Sequence, residues 1–371
     1  MKVAIDSGPL TSGHAVRGIG VATKTLIDSI LKYNKEKDVH VVPVDFTSAD
    51  LTDFDILHYT SFNPYMINPQ SFRFLDKKVI ITIHDLIPLI YPKQYPLGIK
   101  GFLKFQLNKL LVGSARQIIT VSETSKKDIV RFTGVDKDKV DVIYWAPDPS
   151  YKRVTNKEYL SEIRAKYHLP EKFILYVGDV NYNKNLSTLI EACNLLDLRL
   201  VIVGKQAKNL DQLVESYKSL NGPKDFIRLL FGIPHPELSH FNKLTPLIAK
   251  SDVVTTGYVD TKDLAGIYSM ASVYCQPSFY EGFGIPVLEA FACETPVVIS
   301  KTQALVEVAK GAALIADPNS AEDLSDKILS LINDSTTELH LTRAGLKRVE
   351  EFSWENTAKK TIEIYKKVYR K

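Results

Sequence analysis

Residues 276–290 read QPSFYEGFGIPVLEA, and this stretch decides the fold because it joins a strand to a helix through a glycine turn. The apolar run 271–275 before it is typical of a buried strand, and the glycines permit a tight turn after it. Proline is favoured at the first helical position, so we expect the helix to begin at Pro286. The first turn of such a helix presents unpaired amides to an anionic ligand such as a diphosphate. These amides belong to Phe283, Gly284 and Ile285.

Two carboxylates flank this turn. Glu281 precedes it, beside Gly282, and Glu289 lies about one turn into the helix. The two oxygens of Glu289 can accept hydrogen bonds from the vicinal hydroxyls of a ribose, while Glu281 would lie nearer to a sugar attached to the diphosphate. The stretch therefore predicts a nucleotide-sugar site. The plainer alternative is a structural turn with two solvated glutamates.

Length and composition indicate a globular protein with more than one core. A chain of 371 residues exceeds what one core usually serves, and 45% hydrophobic with 24% charged residues is typical of a globular protein. The sequence shows neither a membrane-spanning run nor a signal-peptide pattern, so we expect a cytoplasmic protein. Three cysteines without metal-ligand spacing predict reduced core thiols. A net charge of +4 without a basic and aromatic pattern argues against nucleic-acid binding.

Short apolar runs alternate with helical patterns in both halves of the chain, which predicts parallel sheets covered by helices. We expect a first Rossmann-like domain at 1–165, a second at 166–351, and a C-terminal helix at 352–371. Ligands of doubly wound sheets bind at the carboxyl ends of the strands, so the domains should face a central cleft. Residues 206–252 exceed a simple crossover, and their Pro223, Pro234 and Pro236 suggest an irregular insertion.

The motif E-x7-E formed by Glu281 and Glu289, within the run SFYEGFGIPVLEAFACETPVV, resembles glycosyltransferase family 4. Other segments in the family's order are RGIG at 17–20, TIHDL at 82–86, GYV at 257–259 and FSW at 352–354. The resemblance extends over nearly the whole chain. It implies the GT-B fold, in which two Rossmann-like domains face a cleft and the last helix crosses back to the N-terminal domain.

The resemblance also implies roles for individual residues. Lys184 occupies the place of the family's phosphate-binding lysine, and His84 that of a histidine that contacts the donor sugar; a solvated lysine and a structural histidine are the alternatives. The family commonly carries an arginine near this lysine, where this chain has Asp179 and Asn183, so we expect Lys205 or another residue to compensate. The remaining expected binding residues are Gly18, Gly20, Gly257 and Tyr258.

The activity implied by the resemblance is transfer of a hexose from a nucleoside diphosphate to a glycan or lipid-linked acceptor in polysaccharide biosynthesis, with retention of anomeric configuration. GDP-mannose is the first choice of donor. Asp53-Phe54-Asp55 and Asp136-Lys137-Asp138 both spell the D-x-D of metal-dependent transferases, but neither follows a strand as that motif does, so we expect no cofactor and no required metal.

Two other functions stay open. The absent arginine suggests a non-catalytic protein that binds nucleotide sugars, and two Rossmann-like domains would also suit a nicotinamide-dependent oxidoreductase. The latter is disfavoured because no strand is followed by G-x-G-x-x-G with an acidic residue about 20 positions later. The basic C-terminal helix suggests peripheral association with the inner face of a membrane, with a solvated helix face as the alternative.

Overall fold

The computed structural model describes residues 1–11, 18–66, 77–96, 98–218 and 236–370. The chain forms two compact units. Unit 1 consists of Met1–Ile90, Leu97–Ala146 and Phe352–Lys371, and unit 2 of Tyr91–Pro96 and Pro147–Glu351. Among the described residues, no helix is both long and apolar enough to cross a membrane. The three cysteines are buried and free.

Unit 1 is built on a parallel sheet of six strands in the order β2-β1-β3-β4-β5-β6. Most of its inner strands are apolar runs buried on both faces, as expected for a sheet covered by helices. The strands are β1 Lys2–Asp6, β2 His40–Val44, β3 Ile56–Tyr59, β4 Lys78–Thr82, β5 Gln117–Thr120 and β6 Val140–Val142. The helices are α1 Gly8–Thr11, α2 Gly18–Tyr33, α3 Ile87–Ile90, α4 Gly98–Ser114, α5 Glu123–Thr133 and, near the C-terminus, Trp354–Arg370.

Unit 2 contains a second parallel sheet of six strands, in the order β12-β11-β10-β7-β8-β9. The strands are β7 Ile174–Val177, β8 Leu200–Val203, β9 Val253–Gly257, β10 Val273–Gln276, β11 Val297–Ser300 and β12 Leu314–Ala316. The helices are α6 Lys157–Tyr167, α7 Leu186–Leu195, α8 Lys205–Lys208, α9 Leu210–Lys218, α10 Pro236–Lys250, α11 Thr261–Met270, α12 Ile285–Ala292, α13 Gln303–Ala309, α14 Ala321–Asn333 and α15 Ser335–Val349. Two such sheets confirm the predicted α/β, doubly wound class.

The C-terminal helix, α16 Trp354–Arg370, packs within unit 1 against α2 and β3. Its amphipathic pattern buries Ile362, Tyr365 and Val368 on one face. The phenol of Tyr365 lies 2.7 Å from Nδ1 of the buried His58, whose Nε2 lies 2.8 Å from Oγ1 of Thr82. Burial lowers the pKa of His58 to about 3, so this ring is neutral and serves to join α16 to the sheet.

Two features of unit 2 differ from the sequence interpretation. Most of helix α6 falls within the expected first domain, 1–165, yet the helix belongs to unit 2. It packs on α11, where Lys166, Tyr159 and Tyr167 all bond the carboxylate of Asp263. The segment 206–252 is largely helical where the structure describes it, through α8, α9 and α10, and leads into β9. Residues 219–235, which include Pro223 and Pro234 of the expected irregular insertion, lie outside the described residues.

Candidate active site

The turn after β10 has the predicted strand-turn-helix form, with α12 beginning at Ile285, one residue before Pro286. Gly284 caps the helix with φ of 123°, a conformation that residues with side chains rarely adopt. A Cβ there would lie 2.7 Å from Cδ2 of Leu305. The turn therefore requires glycine for both conformation and space. Within the described residues, the amides of Gly284 and Ile285 donate no hydrogen bond and remain free to meet an anion.

Glu281 is buried at the start of this turn and forms an ion pair with Lys184. The lysine Nζ lies 2.8 Å from Oε1 and 2.9 Å from Oε2, and the side chains are only 8% and 22% exposed for Glu281 and Lys184. Oε1 also accepts hydrogen bonds from Nε2 of Gln276 at 2.7 Å and Oγ of Ser278 at 2.6 Å. Three donors thus fix Oε1, whereas only Lys184 donates to Oε2 among the described residues.

A chain of buried hydrogen bonds leads to the carboxylate of Glu281. The phenol of Tyr274 donates to Oε1 of Gln276, whose amide nitrogen in turn donates to Glu281. Tyr274, Gln276 and Ser278 occupy alternate positions and are all buried, while Val273 and Cys275, at the intervening register, belong to the apolar core on the other face of the sheet. Buried polar residues at alternate positions of a strand were the sequence signal for this network, which the sequence analysis missed.

Asn183 explains how unit 2 accommodates the missing arginine. Its side chain is buried, donates to the carbonyl of Tyr280 at 3.1 Å and accepts from the phenol of Tyr95 at 3.0 Å. Its own carbonyl accepts from the amide of Phe279 at 2.8 Å. Asn183 therefore ties the loop that carries Lys184 to the loop that carries Glu281, and a long cation in its place would lose these bonds.

Glu289 projects from α12 and is held by two tyrosines. Oε2 accepts from the phenol of Tyr268 at 2.9 Å, and Tyr151 also hydrogen-bonds the carboxylate. Burial raises the pKa of Glu289 to about 7, against the opposing effect of these two bonds. The rings of Tyr151 and Tyr268 meet edge to face at 5.9 Å between centroids. Neither tyrosine belongs to a motif that marks it as functional in the sequence.

Glycines end three adjacent strands of the same sheet. Gly178 and Gly204 follow β7 and β8, and Gly257 closes β9. A Cβ on Gly204 would lie 2.2 Å from the carbonyl oxygen of Gly178, so the two backbones approach closely at this edge. Lys205 and Tyr258 come directly after two of these glycines and are exposed, Tyr258 by 67%. The side chain of Lys208 packs against Gly257. This edge thus combines glycine backbone with lysine side chains and an exposed aromatic ring.

The other predicted site residues lie in unit 1. His84 follows β4, its ring contacts Trp145 at 4.6 Å between centroids, and its carbonyl accepts from Oγ of Ser125 at 2.8 Å. Both ring nitrogens are buried without a well-formed hydrogen bond to a described residue, and burial lowers the pKa of His84 to about 4 against a weak opposing effect of the Thr60 backbone. The ring is therefore neutral. Gly18 and Gly20 open α2, and Arg17 lies outside the described residues.

The D-x-D matches have structural roles. Oδ2 of Asp55 accepts from the amide of Lys2, and Asp136 caps the short turn at 137–139. In the ranges that the structure describes, no group of three or more His, Cys, Asp or Glu side chains is arranged to hold a metal.

Comparison with protein families gives two matches. The family described as "Glycosyl transferases group 1" matches residues 161–244 and 206–348, and "Glycosyltransferase Family 4" matches residues 46–151. O-antigen chain mannosyltransferase B of Escherichia coli is 31% identical over 301 residues, which are 78% of this chain and 70% of that protein. Serotype-specific mannosyltransferase WbdA of Escherichia coli is 28% identical over 288 residues, and the match spans 33% of its length.

Solved structures share the fold at low sequence identity. Sucrose-phosphate synthase from Thermosynechococcus elongatus superposes with a TM-score of 0.73 at 17% identity, covering 100% of this chain and 99% of its own. Anabaena Alr3699/HepE in complex with UDP-glucose gives 0.69 at 16% identity, covering 99% of this chain and 100% of its own.

Proposed function

We propose that this chain, which belongs to the glycosyltransferase group 1 family, transfers a hexose from a nucleoside diphosphate to a glycan or lipid-linked acceptor in polysaccharide biosynthesis, with retention of configuration. The observation that carries the proposal is the ion pair of the buried Glu281 with the half-buried Lys184, beside the glycine turn and the free amides at the start of α12. GDP-mannose is the first donor to test, because two of the relatives are named mannosyltransferases. The expected cytoplasmic location belongs to the same proposal.

Lys184 and the turn amides would neutralise the departing diphosphate. Glu281 holds Nζ of Lys184 in place before the donor arrives, so little reorganisation is needed when charge develops on the leaving group. Its Oε2 has capacity for a further hydrogen bond, which a hydroxyl of the transferred sugar would donate. Glu281 then acts both on the lysine and on the sugar.

Glu289 would bind the ribose diol. Tyr268 and Tyr151 fix the carboxylate, and each oxygen retains lone pairs for a ribose hydroxyl. Beside it, the glycine-lined edge of β7, β8 and β9 would let the nucleotide approach the backbone, with Lys205 near phosphate and Tyr258 near the base. His84, Gly18 and Gly20 of unit 1 remain proposed binding residues.

Calorimetric titration with GDP, UDP and dTDP identifies the nucleotide, and mass spectrometry of products from lipid-linked acceptors identifies the transfer. NMR of the first product formed reports the anomeric configuration. We expect activity to survive EDTA, since Lys184 and backbone amides supply the positive charge that a metal otherwise provides. Binding of none of the three nucleotides would overturn the proposal.

A non-catalytic nucleotide-sugar protein is the second candidate, favoured by Asp179 and Asn183 at the places of the family's arginine. Such a protein would bind the donor and neither transfer nor hydrolyse the sugar. Slow release of free hexose from the donor without an acceptor, abolished when Lys184 is replaced, distinguishes the transferase from the binder.

A further inference from the structure

Helix α4, Gly98–Ser114, is apolar on two opposite faces. Its inner face buries Phe105, Leu111 and Val112, the first and last of them in the core of unit 1. Its outer face leaves five large apolar side chains in solvent. These are Ile99 (82% exposed), Phe102 (52%), Leu103 (58%), Leu107 (43%) and Leu110 (68%). An isolated exposed leucine is ordinary, but five on one helix form a patch that indicates an interaction surface.

The outer face is flanked by cations. With about 100° between successive residues, the five apolar positions form one stripe opposite the buried face. Lys100 and Lys104 lie along one border of the stripe, and Lys109 lies along the other. Lysines at such borders can bury their methylene stems in an apolar layer while the ammonium groups stay in a polar one.

The segment of chain that contains α4 carries charge of one sign. Residues 86–122 contain no aspartate or glutamate. A second copy of this face, paired by twofold symmetry, would place lysines of like charge against one another. A surface with an apolar interior and an anionic outer layer complements both features: its interior matches the apolar stripe, and its outer layer matches the lysines along the borders.

We propose that the outer face of α4 docks on an anionic phospholipid membrane. The helix lies in the plane of the interface, with the five apolar side chains among the upper acyl chains and the three lysines among the headgroup phosphates. The inner face remains packed in unit 1, so docking requires no unfolding.

This surface replaces the C-terminal helix as the membrane contact. The apolar face of α16 is buried within unit 1, and three of its lysines pair with carboxylates of the same unit. These pairs are Lys359 with Glu355, Lys366 with Glu36 and Lys367 with Asp141. By contrast, no ion pair of Lys100, Lys104 or Lys109 is present among the residues whose placement the structure gives.

Co-sedimentation of the full chain with vesicles tests the proposal. We expect binding to vesicles of equal parts phosphatidylcholine and phosphatidylglycerol, and weaker binding to phosphatidylcholine alone. The double variant Phe102→Ser/Leu103→Ser should lose about tenfold or more in affinity because it removes apolar insertion. Lys100→Gln/Lys104→Gln should lose about fivefold per lysine on the anionic vesicles only.

The matched control is Leu195→Ser/Leu339→Ser, which removes two exposed leucines (59% and 48%) from unit 2 and should bind vesicles as the unsubstituted chain does. Equal binding by the control and by Phe102→Ser/Leu103→Ser would overturn the proposal. The proposal would also be overturned if light scattering shows a dimer that Phe102→Ser/Leu103→Ser dissociates, while the unsubstituted chain binds no vesicles. Nucleotide titration in solution does not involve this face, so the membrane proposal and the transferase proposal can fail separately.

Discussion

At the scale of single residues, the first prediction concerns Lys184. Replacing it by Met should lower kcat/KM about 100-fold or more, because the leaving diphosphate loses its preorganised cation. The substitution also leaves Glu281 buried without a counter-charge, which costs about 3 to 5 kcal/mol of stability. Steady-state kinetics should therefore compare Lys184→Met/Glu281→Gln, which carries no buried unpaired charge, with Glu281→Gln, because Glu281 is itself proposed to contact the sugar.

The control for this prediction is Lys172→Met, because Lys172 is an exposed lysine of the same unit. It should retain the kinetics of the unsubstituted chain. If the double variant also retains full turnover while folding normally, the pair is a structural tie between two loops and takes no part in transfer.

The second prediction concerns the pH dependence that Glu289 gives to nucleotide binding. With a pKa near 7, the carboxylate is about half protonated at neutral pH, and a ribose diol donates best to the ionised form. Nucleotide affinity should therefore fall about tenfold between pH 8 and pH 6 from this group. Because the diphosphate titrates too, the measured quantity is the difference between the unsubstituted chain and Glu289→Gln, titrated in parallel.

Removing the bond from Tyr268 extends this test. Tyr268→Phe should raise the pKa of Glu289 further, because the phenol stabilises the charged form, and should shift the affinity profile to higher pH. A profile that coincides with that of Glu289→Gln at every pH would show that this carboxylate does not bind the nucleotide.

The sequence predicted the two glutamates and Lys184 through motif position, but not their partners. Glu281 and Lys184 are 97 positions apart, so their ion pair depends on the order of strands in the sheet, which local patterns do not specify. The same holds for Tyr268 and Tyr151 at Glu289, where a buried tyrosine reads in sequence as an ordinary core residue. At Asn183 the sequence departs from the family's pattern, and only the three hydrogen bonds of this residue reveal its structural role.

At the scale of elements, the third prediction tests the turn before α12. Gly284→Ala should lower the free energy of unfolding by about 1 to 3 kcal/mol, because alanine adopts φ of 123° only with strain and its Cβ would meet Leu305. Thermal and urea unfolding measure the change. Nucleotide affinity should fall as well, since displacement of the turn misplaces the free amides.

Gly113→Ala is the matched control, since it lies in helix α4 and an added Cβ would meet no atom within 4 Å. Alanine there should raise stability by about 0.5 to 1 kcal/mol through helix propensity. Equal responses to both substitutions would mean that the turn conformation is not required.

Element patterns were the most predictable feature. The periodicity located the helices near 21–31 and 102–111, although both extend farther, as Gly18–Tyr33 and Gly98–Ser114. The exposure of the outer stripe of α4 cannot be read from sequence, because a helix that is apolar on more than one face is normally a buried one. Segment 206–252 was misread because its prolines suggested a loop, whereas Pro236 begins α10 and Pro246 lies inside it.

At the scale of the whole molecule, the chain returns from unit 2 to complete unit 1, as the family resemblance implied. Helix α16 joins a unit whose last strand in the chain is β6. The hydroxyl of Thr357 in this helix donates to the carbonyl of Tyr144, which lies 213 positions earlier. Trp354 packs on Trp145 at 6.1 Å between centroids. Unit 1 is thus incomplete until the last residues of the chain are in place.

The last prediction concerns the contribution of one hydroxyl of α16 to the stability of unit 1. Tyr365→Phe removes the partner of Nδ1 of His58, which is fully buried and cannot turn to water, so the free energy of unfolding should fall by about 1 to 3 kcal/mol. Tyr369→Phe on the same helix removes a hydroxyl from a ring that is 46% exposed and should change stability by less than about 0.5 kcal/mol. Urea unfolding followed by the fluorescence of Trp145 and Trp354, both in unit 1, measures the difference, and equal midpoints would contradict the proposed closure of unit 1 by α16.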